Sequence, residues 1–166
     1  MTQSDPFWAQ FSPDPFQIAK AYAQATEPVP WATGSTNMRF GGALAEIVMS
    51  DIVFTLPEWH NTTALSKDFD FVRYDGKLTV DLKSSLYPGL PEPFYKARVR
   101  HRRSYQHCDR YVWIYVQTDN TRSFVENLFA IGWLDYQNFW DIAWHDAPFN
   151  CWCVYYSDLM PWEAWT

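Results

Sequence analysis

Three side chains near the middle of the chain have the types and spacing for metal-assisted hydrolysis. Asp70, Asp81 and Lys83 belong to the run Asp68-Phe-Asp-Phe-Val-Arg-Tyr-Asp-Gly-Lys-Leu-Thr-Val-Asp-Leu-Lys83, where apolar and polar residues alternate on either side of Asp75-Gly76. Asp-Gly between two alternating runs is a strong hairpin signal. A two-residue loop there pairs Tyr74 with Lys77 and carries the register back so that Asp70 falls opposite Asp81. Opposed residues on antiparallel strands share a face, with Cβ atoms roughly 5 Å apart. Phe69, Phe71, Leu78, Val80 and Leu82 are then expected on the core side. Two facing carboxylates repel unless positive charge lies between them. Mg²⁺ suits such a pair, because it takes a few carboxylate oxygens and keeps waters that a phosphate can displace. A water activated by the ion attacks phosphorus while the ion neutralises phosphoryl charge, and Lys83 is placed to orient that water or steady the transition state. Asp68 shares the face and is an alternative to Asp70. The plainer reading is a solvated hairpin face with Asp68 and Lys83 as a surface ion pair.

Upstream, Leu44, Ile47, Val48, Asp51 and Ile52 recur at three- and four-residue steps, predicting a helix over Gly41 to Phe54 with Glu46 inside it. A helix acid, then Asp70 on one strand, then Asp81-Leu82-Lys83 on the next, resembles the PD-(D/E)xK, or restriction-endonuclease-like, nuclease superfamily of phage and bacterial type. The resemblance runs from about Gly41 to Val116, with Arg110-Tyr-Val-Trp-Ile-Tyr-Val116 similar to the next core strand. Ala130-Ile-Gly-Trp-Leu-Asp-Tyr-Gln-Asn-Phe139 is similar to a family tail in which a strand ends in Gly-Trp before a helix. It implies an α/β fold with a small mixed β-sheet flanked by helices. It also implies Mg²⁺ (or Mn²⁺) held by Asp70 and Asp81, with Glu46 as a further ligand or supporting base, Lys83 as the catalytic lysine, and hydrolysis of a DNA phosphodiester. The proline that often precedes the first acid is replaced by Phe69. The acid-x-Lys pattern alone is weak: nineteen acids and five lysines give roughly 0.6 occurrences by chance. Asp75-Gly76-Lys77 also fits it, but Asp75 falls in the turn.

The charge is unevenly placed. Lys96, Arg98, Arg100, Arg102, Arg103 and Arg110 lie within fifteen residues that contain one acid, Asp109, whereas the whole chain carries −6. An acidic protein with one concentrated basic stretch binds a polyanion along a single face, so Lys96, Arg98, Arg100, Arg102 and Arg103 are candidates to contact DNA phosphates. The competing reading packs the arginine stems on aromatic rings. Tyr95 and Tyr105 accompany the stretch and are candidates to stack on unpaired bases or to pack.

Around this centre the chain of 166 residues reads as one domain. Residues 1–37 supply an N-terminal helix and connector, with Asp14-Pro15 starting a helix that runs to about Ala25. Residues 41–139 form the nuclease-like core, and residues 140–166 a Trp-rich segment expected to pack on the core or to serve as an interface. Ten Trp, ten Tyr and twelve Phe, against 19% charged residues, exclude a disordered or fibrous chain. No apolar stretch approaches the ~20 residues that cross a bilayer. The N-terminus lacks an export-signal pattern, and an odd count of three cysteines argues against a disulfide framework. A soluble, cytoplasmic protein of a bacterial or phage-infected cell is expected, with no membrane contact. His107, Cys108, His145, Cys151 and Cys153 are zinc-ligand types without paired zinc spacing. A non-catalytic module of the same fold that binds nucleic acid or protein is the alternative function, and a homodimer an alternative assembly.

Overall fold

The computed structural model describes residues 7–27, 35–62, 69–100 and 107–165. In chain order these form β1 (Ala9–Phe11), α1 (Pro15–Thr26), α2 (Thr36–Ile52), β2 (Trp59–Asn61), β3 (Phe71–Arg73), β4 (Thr79–Pro88) and β5 (Lys96–Val99). There follow β6 (Arg110–Thr118), β7 (Val125–Asp135), α3 (Tyr136–Ile142), β8 (Trp144–Asp146), β9 (Cys151–Tyr155) and β10 (Met160–Pro161). The result is a mixed α/β fold. The main sheet runs β1-β7-β6-β4-β3-β2, with β10 added beside β1 on β7; β4 and β6 are parallel and every other pair is antiparallel. A second, three-stranded sheet runs β5-β9-β8.

Local chemistry accounts for the helix starts. The Asp14 carboxylate accepts the Gln17 N–H at 2.7 Å, and the Gln17 side chain accepts the Asp14 N–H at 2.9 Å. Such a reciprocal cap is worth about 1 kcal/mol. Gln17 also donates to Asp51 at 2.8 Å, tying α1 to α2. The second helix begins at Thr36, five residues before the expected Gly41, because Ser35 caps it through the Met38 N–H. That serine sits among connector-like residues, and its capping role outweighs their turn character.

Both faces of the main sheet are covered. Val80, Val112, Ile114 and Val116 point to one side, against Phe40, Leu44 and Val48 of α2 and Ala21 and Ala25 of α1. Tyr111, Trp113, Tyr115, Phe129 and Ile131 point to the other, against Phe139 of α3 and Ala97, Val99 and Val154 of the small sheet. A strand buried on both faces needs apolar residues without alternation, which is why β6 reads as a nearly continuous apolar run.

Three local expectations are corrected. The turn is not the two-residue Asp75-Gly76 loop. Arg73 N–H donates to the Leu78 carbonyl at 2.9 Å and Gly76 N–H to the Arg73 carbonyl at 2.7 Å, so the loop is residues 74–77. Gly76 holds φ +70, a left-handed value that its missing Cβ permits. Because the longer loop is centred on the same dipeptide, the register is unchanged: Phe71 pairs with Val80 and Val72 with Thr79. Phe69, expected beside Phe71, instead packs against the aromatic cluster on the other side of the sheet. The chain bends at Asp70 before β3 begins, and strict alternation ends there. Finally, the start of the basic stretch, Lys96 to Val99, is not a free charged segment open to a polyanion along its length but a strand of the small sheet, paired with Cys151–Tyr155 of the Trp-rich segment.

Gly132 shows why the tail docks where it does. A Cβ there would lie 2.5 Å from the Met160 carbonyl oxygen and 2.9 Å from the Leu159 Cβ, since β10 pairs directly over it. Gly132→Ala must push that backbone away, a clash of a size that costs about 1–3 kcal/mol. A lowered melting temperature, compared with a neutral surface substitution such as Gln137→Ala, checks this.

Candidate metal-binding and catalytic site

Asp70, Asp81 and Lys83 come together at the first half of β4. Just before β3, Asp70 is tied to β4 twice: its N–H donates to the Val80 carbonyl at 2.8 Å, and its carboxylate accepts the Leu82 N–H at 2.7 Å. Asp81 is buried, only 8% exposed. It lies level with Tyr111 of the parallel neighbour β6, and Lys83 lies level with Trp113, so acid and lysine share the aromatic side of the sheet. The Lys83 ammonium reaches back to Asp81 Oδ2 at 2.7 Å and stands 5.8 Å from the Tyr111 ring centre. Asp68, the alternative to Asp70, lies outside the described residues.

Glu46 approaches from α2, half-buried. This helix closes on β4 through Gly41 and Gly42, where an added Cβ would lie 3.8 Å from the Ser84 hydroxyl. Glu46 follows Gly42 by one helical turn on that same face and is near enough for its charge to act on Asp70.

The electrostatics divide the two strand acids. Asp70 is held well above the ordinary carboxylate range, first by burial, then by repulsion from Glu46 and from Asp81. Burial pushes Asp81 the same way, but Lys83 and then His107 overcome it and hold Asp81 below that range. Lys83 is raised: burial opposes its charge, and Asp81 outweighs the burial. The site therefore contains one well-compensated carboxylate and one short of positive charge. A divalent cation bound there would supply what Asp70 lacks.

This has a consequence for stability. Asp70 binds its proton more tightly folded than unfolded, so its contribution is greatest below pH 3.8 and is lost as pH rises through its higher folded value. Asp70→Asn removes the charge while keeping an oxygen for the Leu82 N–H. In chelator at neutral pH the variant is expected to melt above wild type, with the difference closing below pH 3.8. Added Mg²⁺ should raise the wild-type melting temperature more than that of the variant. Thermal melts at the two pH values, with and without the ion, measure both.

In the sequence His107 and Cys108 are scattered zinc-ligand types without paired spacing, yet the fold brings both to Asp81. His107 Nε2 lies 3.6 Å from Asp81 Oδ2 and 3.5 Å from the Tyr111 hydroxyl. Asp109 fixes the approach. Its carboxylate accepts from the Thr79 N–H at 2.7 Å and the Thr79 hydroxyl at 2.8 Å, clamping the residues before β6 to the start of β4. Among the described residues, Asp81, His107 and Cys108 are the trio of ligand types whose donor atoms lie within 4.8 Å of one another. Burial, and then Asp81, push the Cys108 thiol far up, so it is a poor free nucleophile.

The basic stretch has a different placement. Lys96 pairs with Asp146 at 2.8 Å and lies 4.8 Å from the Trp144 ring centre. Arg98 sits 4.5 Å from the Phe149 ring centre and donates to the Tyr87 hydroxyl at 3.1 Å. Tyr87 is six residues beyond Asp81 on β4, about 20 Å at ~3.3 Å per residue. Arg110 pairs with Asp135 at 2.9 Å and stacks 4.3 Å from the Trp133 ring centre. Arg100 is exposed, with Nη2 3.2 Å from the Met38 sulfur. Arg102, Arg103 and Tyr105 lie outside the described residues. The described cations of this stretch are thus largely met by acids and rings of the same chain.

Cys151 and Cys153 are buried free thiols on β9, outside the Asp81 trio. Among the described residues no helix is long and apolar enough to cross a membrane. Compared with known proteins, the chain matches no protein-family model and no curated sequence.

Proposed function

We propose that this protein is a Mg²⁺- or Mn²⁺-dependent DNA endonuclease. The observation that carries the reading is Asp70: a carboxylate pinned to the Leu82 N–H of β4 and raised by burial, Glu46 and Asp81, near a lysine already bonded to Asp81. That pattern of acids with unmet negative charge suits an ion that binds phosphate oxygens. Asp70 and Asp81 hold it, with Glu46 supporting from α2. The ion supplies a lowered water pKa and a charge clamp on the phosphoryl oxygens. Lys83, half-buried and bonded to Asp81, would supply positive charge to a phosphoryl group bound at that ion.

For DNA, the contribution expected from the basic stretch narrows to Arg100, Arg102 and Arg103. Lys96 and Arg98 are engaged within the protein, whereas Arg102 and Arg103 stand in sequence between the exposed Arg100 and His107, which is beside Asp81. The test is cleavage of supercoiled plasmid, linear duplex, single strand and four-way junction in Mg²⁺ or Mn²⁺, with chelator as control. Cutting that stops in chelator supports the reading, and the preferred substrate identifies the DNA form. Tight DNA binding with no cutting of any substrate would replace it with a non-catalytic binding module.

A further inference from the structure

We propose that Asp81, His107 and Cys108 form a binding site for one borderline transition-metal ion of the Zn²⁺ type. The inference goes beyond the nuclease reading and does not rest on it, because uptake of the metal is read without DNA.

The donor set is the first argument. Mg²⁺ takes oxygen ligands, whereas a carboxylate, an imidazole and a thiolate together suit Zn²⁺ and its spectroscopic substitute Co²⁺. Their donor atoms already lie within 4.8 Å of one another. Among the described residues, the contacts of the Asp81 carboxylate with Lys83 and His107 both fall on Oδ2, and Oδ1 is the oxygen we assign to the metal.

The second argument is independent of that gathering. The His107 side chain is only 6% exposed, and its Nδ1 is buried with no hydrogen-bond partner among the described residues. Buried polar atoms are rarely left unpaired without a reason such as an ion or a catalytic role. Coordination through Nδ1 would relieve it, with Nε2 left beside the Tyr111 hydroxyl. Position is secured by the Asp109–Thr79 clamp immediately after Cys108. The Lys83 side chain, 31% exposed, marks a way in from solvent.

Cys108 coordinates as thiolate, releasing its proton to solvent as the metal binds. Three protein ligands leave a fourth position for water or a phosphoryl oxygen, the arrangement of reactive rather than purely structural zinc sites. Because Asp81 serves both ions, Zn²⁺ here competes with Mg²⁺ at the neighbouring carboxylates.

Titration of the full-length, metal-free protein with Co²⁺ tests the site. The expected result is a near-ultraviolet thiolate-to-cobalt charge-transfer band that saturates at one equivalent and is displaced by Zn²⁺. Cys108→Ser should lose the band, and His107→Gln should weaken binding, both with an unchanged far-ultraviolet circular dichroism spectrum. A Cys151→Ser/Cys153→Ser double variant should keep it. The proposal is overturned if wild type shows no band, or if the band survives Cys108→Ser and disappears with the double variant. Should Cys108→Ser fail to fold, wild type and the double variant still decide, since only Cys108 then remains to supply a thiolate. Failure here leaves Mg²⁺-dependent cleavage intact, and failure of cleavage leaves the cobalt band intact.

Discussion

Asp81→Ala is expected to reduce Mg²⁺-dependent DNA cleavage by at least about 100-fold, the scale on which a preorganised charged group contributes to a transition state. The loss is large because one residue serves two purposes: it is a ligand in the proposed ion site, and it is the partner of Lys83 at 2.7 Å. Removing it leaves the ammonium half-buried beside Tyr111 without its counter-charge. Breaking a fully buried pair costs about 3–5 kcal/mol, and the 31% exposure of the Lys83 side chain reduces that figure here. Activity must therefore be compared with folding. Asp81→Asn preserves shape and a hydrogen-bond acceptor, and it should be as inactive as Asp81→Ala while melting closer to wild type. Initial rates on the substrate cut best, measured beside melting curves, separate the two effects. Cleavage by either variant at the wild-type rate would falsify the assignment of Asp81.

The largest stability effect is expected at Trp113. Its side chain is 1% exposed near the centre of β6, stacked 5.4 Å from Phe139 and tilted against Tyr111 at 5.7 Å. Truncating a buried tryptophan to alanine removes its dispersion contacts and leaves a cavity, typically at about 3–5 kcal/mol. The indole Nε1 is buried and has no hydrogen-bond partner among the described residues, so the truncation also discards an unsatisfied donor, which places the cost toward the lower end. Trp113→Phe keeps a ring against Phe139, discards the same donor, and should cost less than half as much. Urea unfolding of both variants, with midpoints compared at constant m-value, gives the ranking. Trp113 is level with Lys83 on the neighbouring strand, so Trp113→Ala should also loosen the lysine and lower cleavage.

The hairpin carrying the candidate site was legible because its determinants are local. Alternation in Phe71 to Val80 and the Asp75-Gly76 dipeptide act over a few residues, and the backbone cannot satisfy both in a different register without exposing Phe71 and Val80. The loop is two residues longer than the dipeptide predicts, yet the register is insensitive to this, since a loop of four residues about the same centre pairs the same partners. Helix α2 was legible from its 3.6-residue periodicity. Its first turn was not, because one hydrogen bond from Ser35 decided it. Phe69 was misplaced because alternation was extended past Asp70, where a side chain capping the Leu82 N–H takes the place of another ladder residue.

The fate of the basic stretch was not legible at all. Six cations in a row of fifteen residues look alike in sequence, but Lys96 meets Asp146 and Arg110 meets Asp135, acids 50 and 25 positions away. Likewise His107 and Cys108 had no recognisable spacing to Asp81, because the parallel pairing of β4 with β6 brings them there.

The sequence by itself determined which residues alternate, where the chain turns and which residues pair across the hairpin, since each follows from interactions between near neighbours. Only the tertiary structure decided which cations are already paired, that a histidine and a cysteine join Asp81, and that the Trp-rich segment builds a second sheet over the aromatic face. Those outcomes depend on which strands lie side by side, and a strand buried on both faces carries no local pattern that names its neighbour.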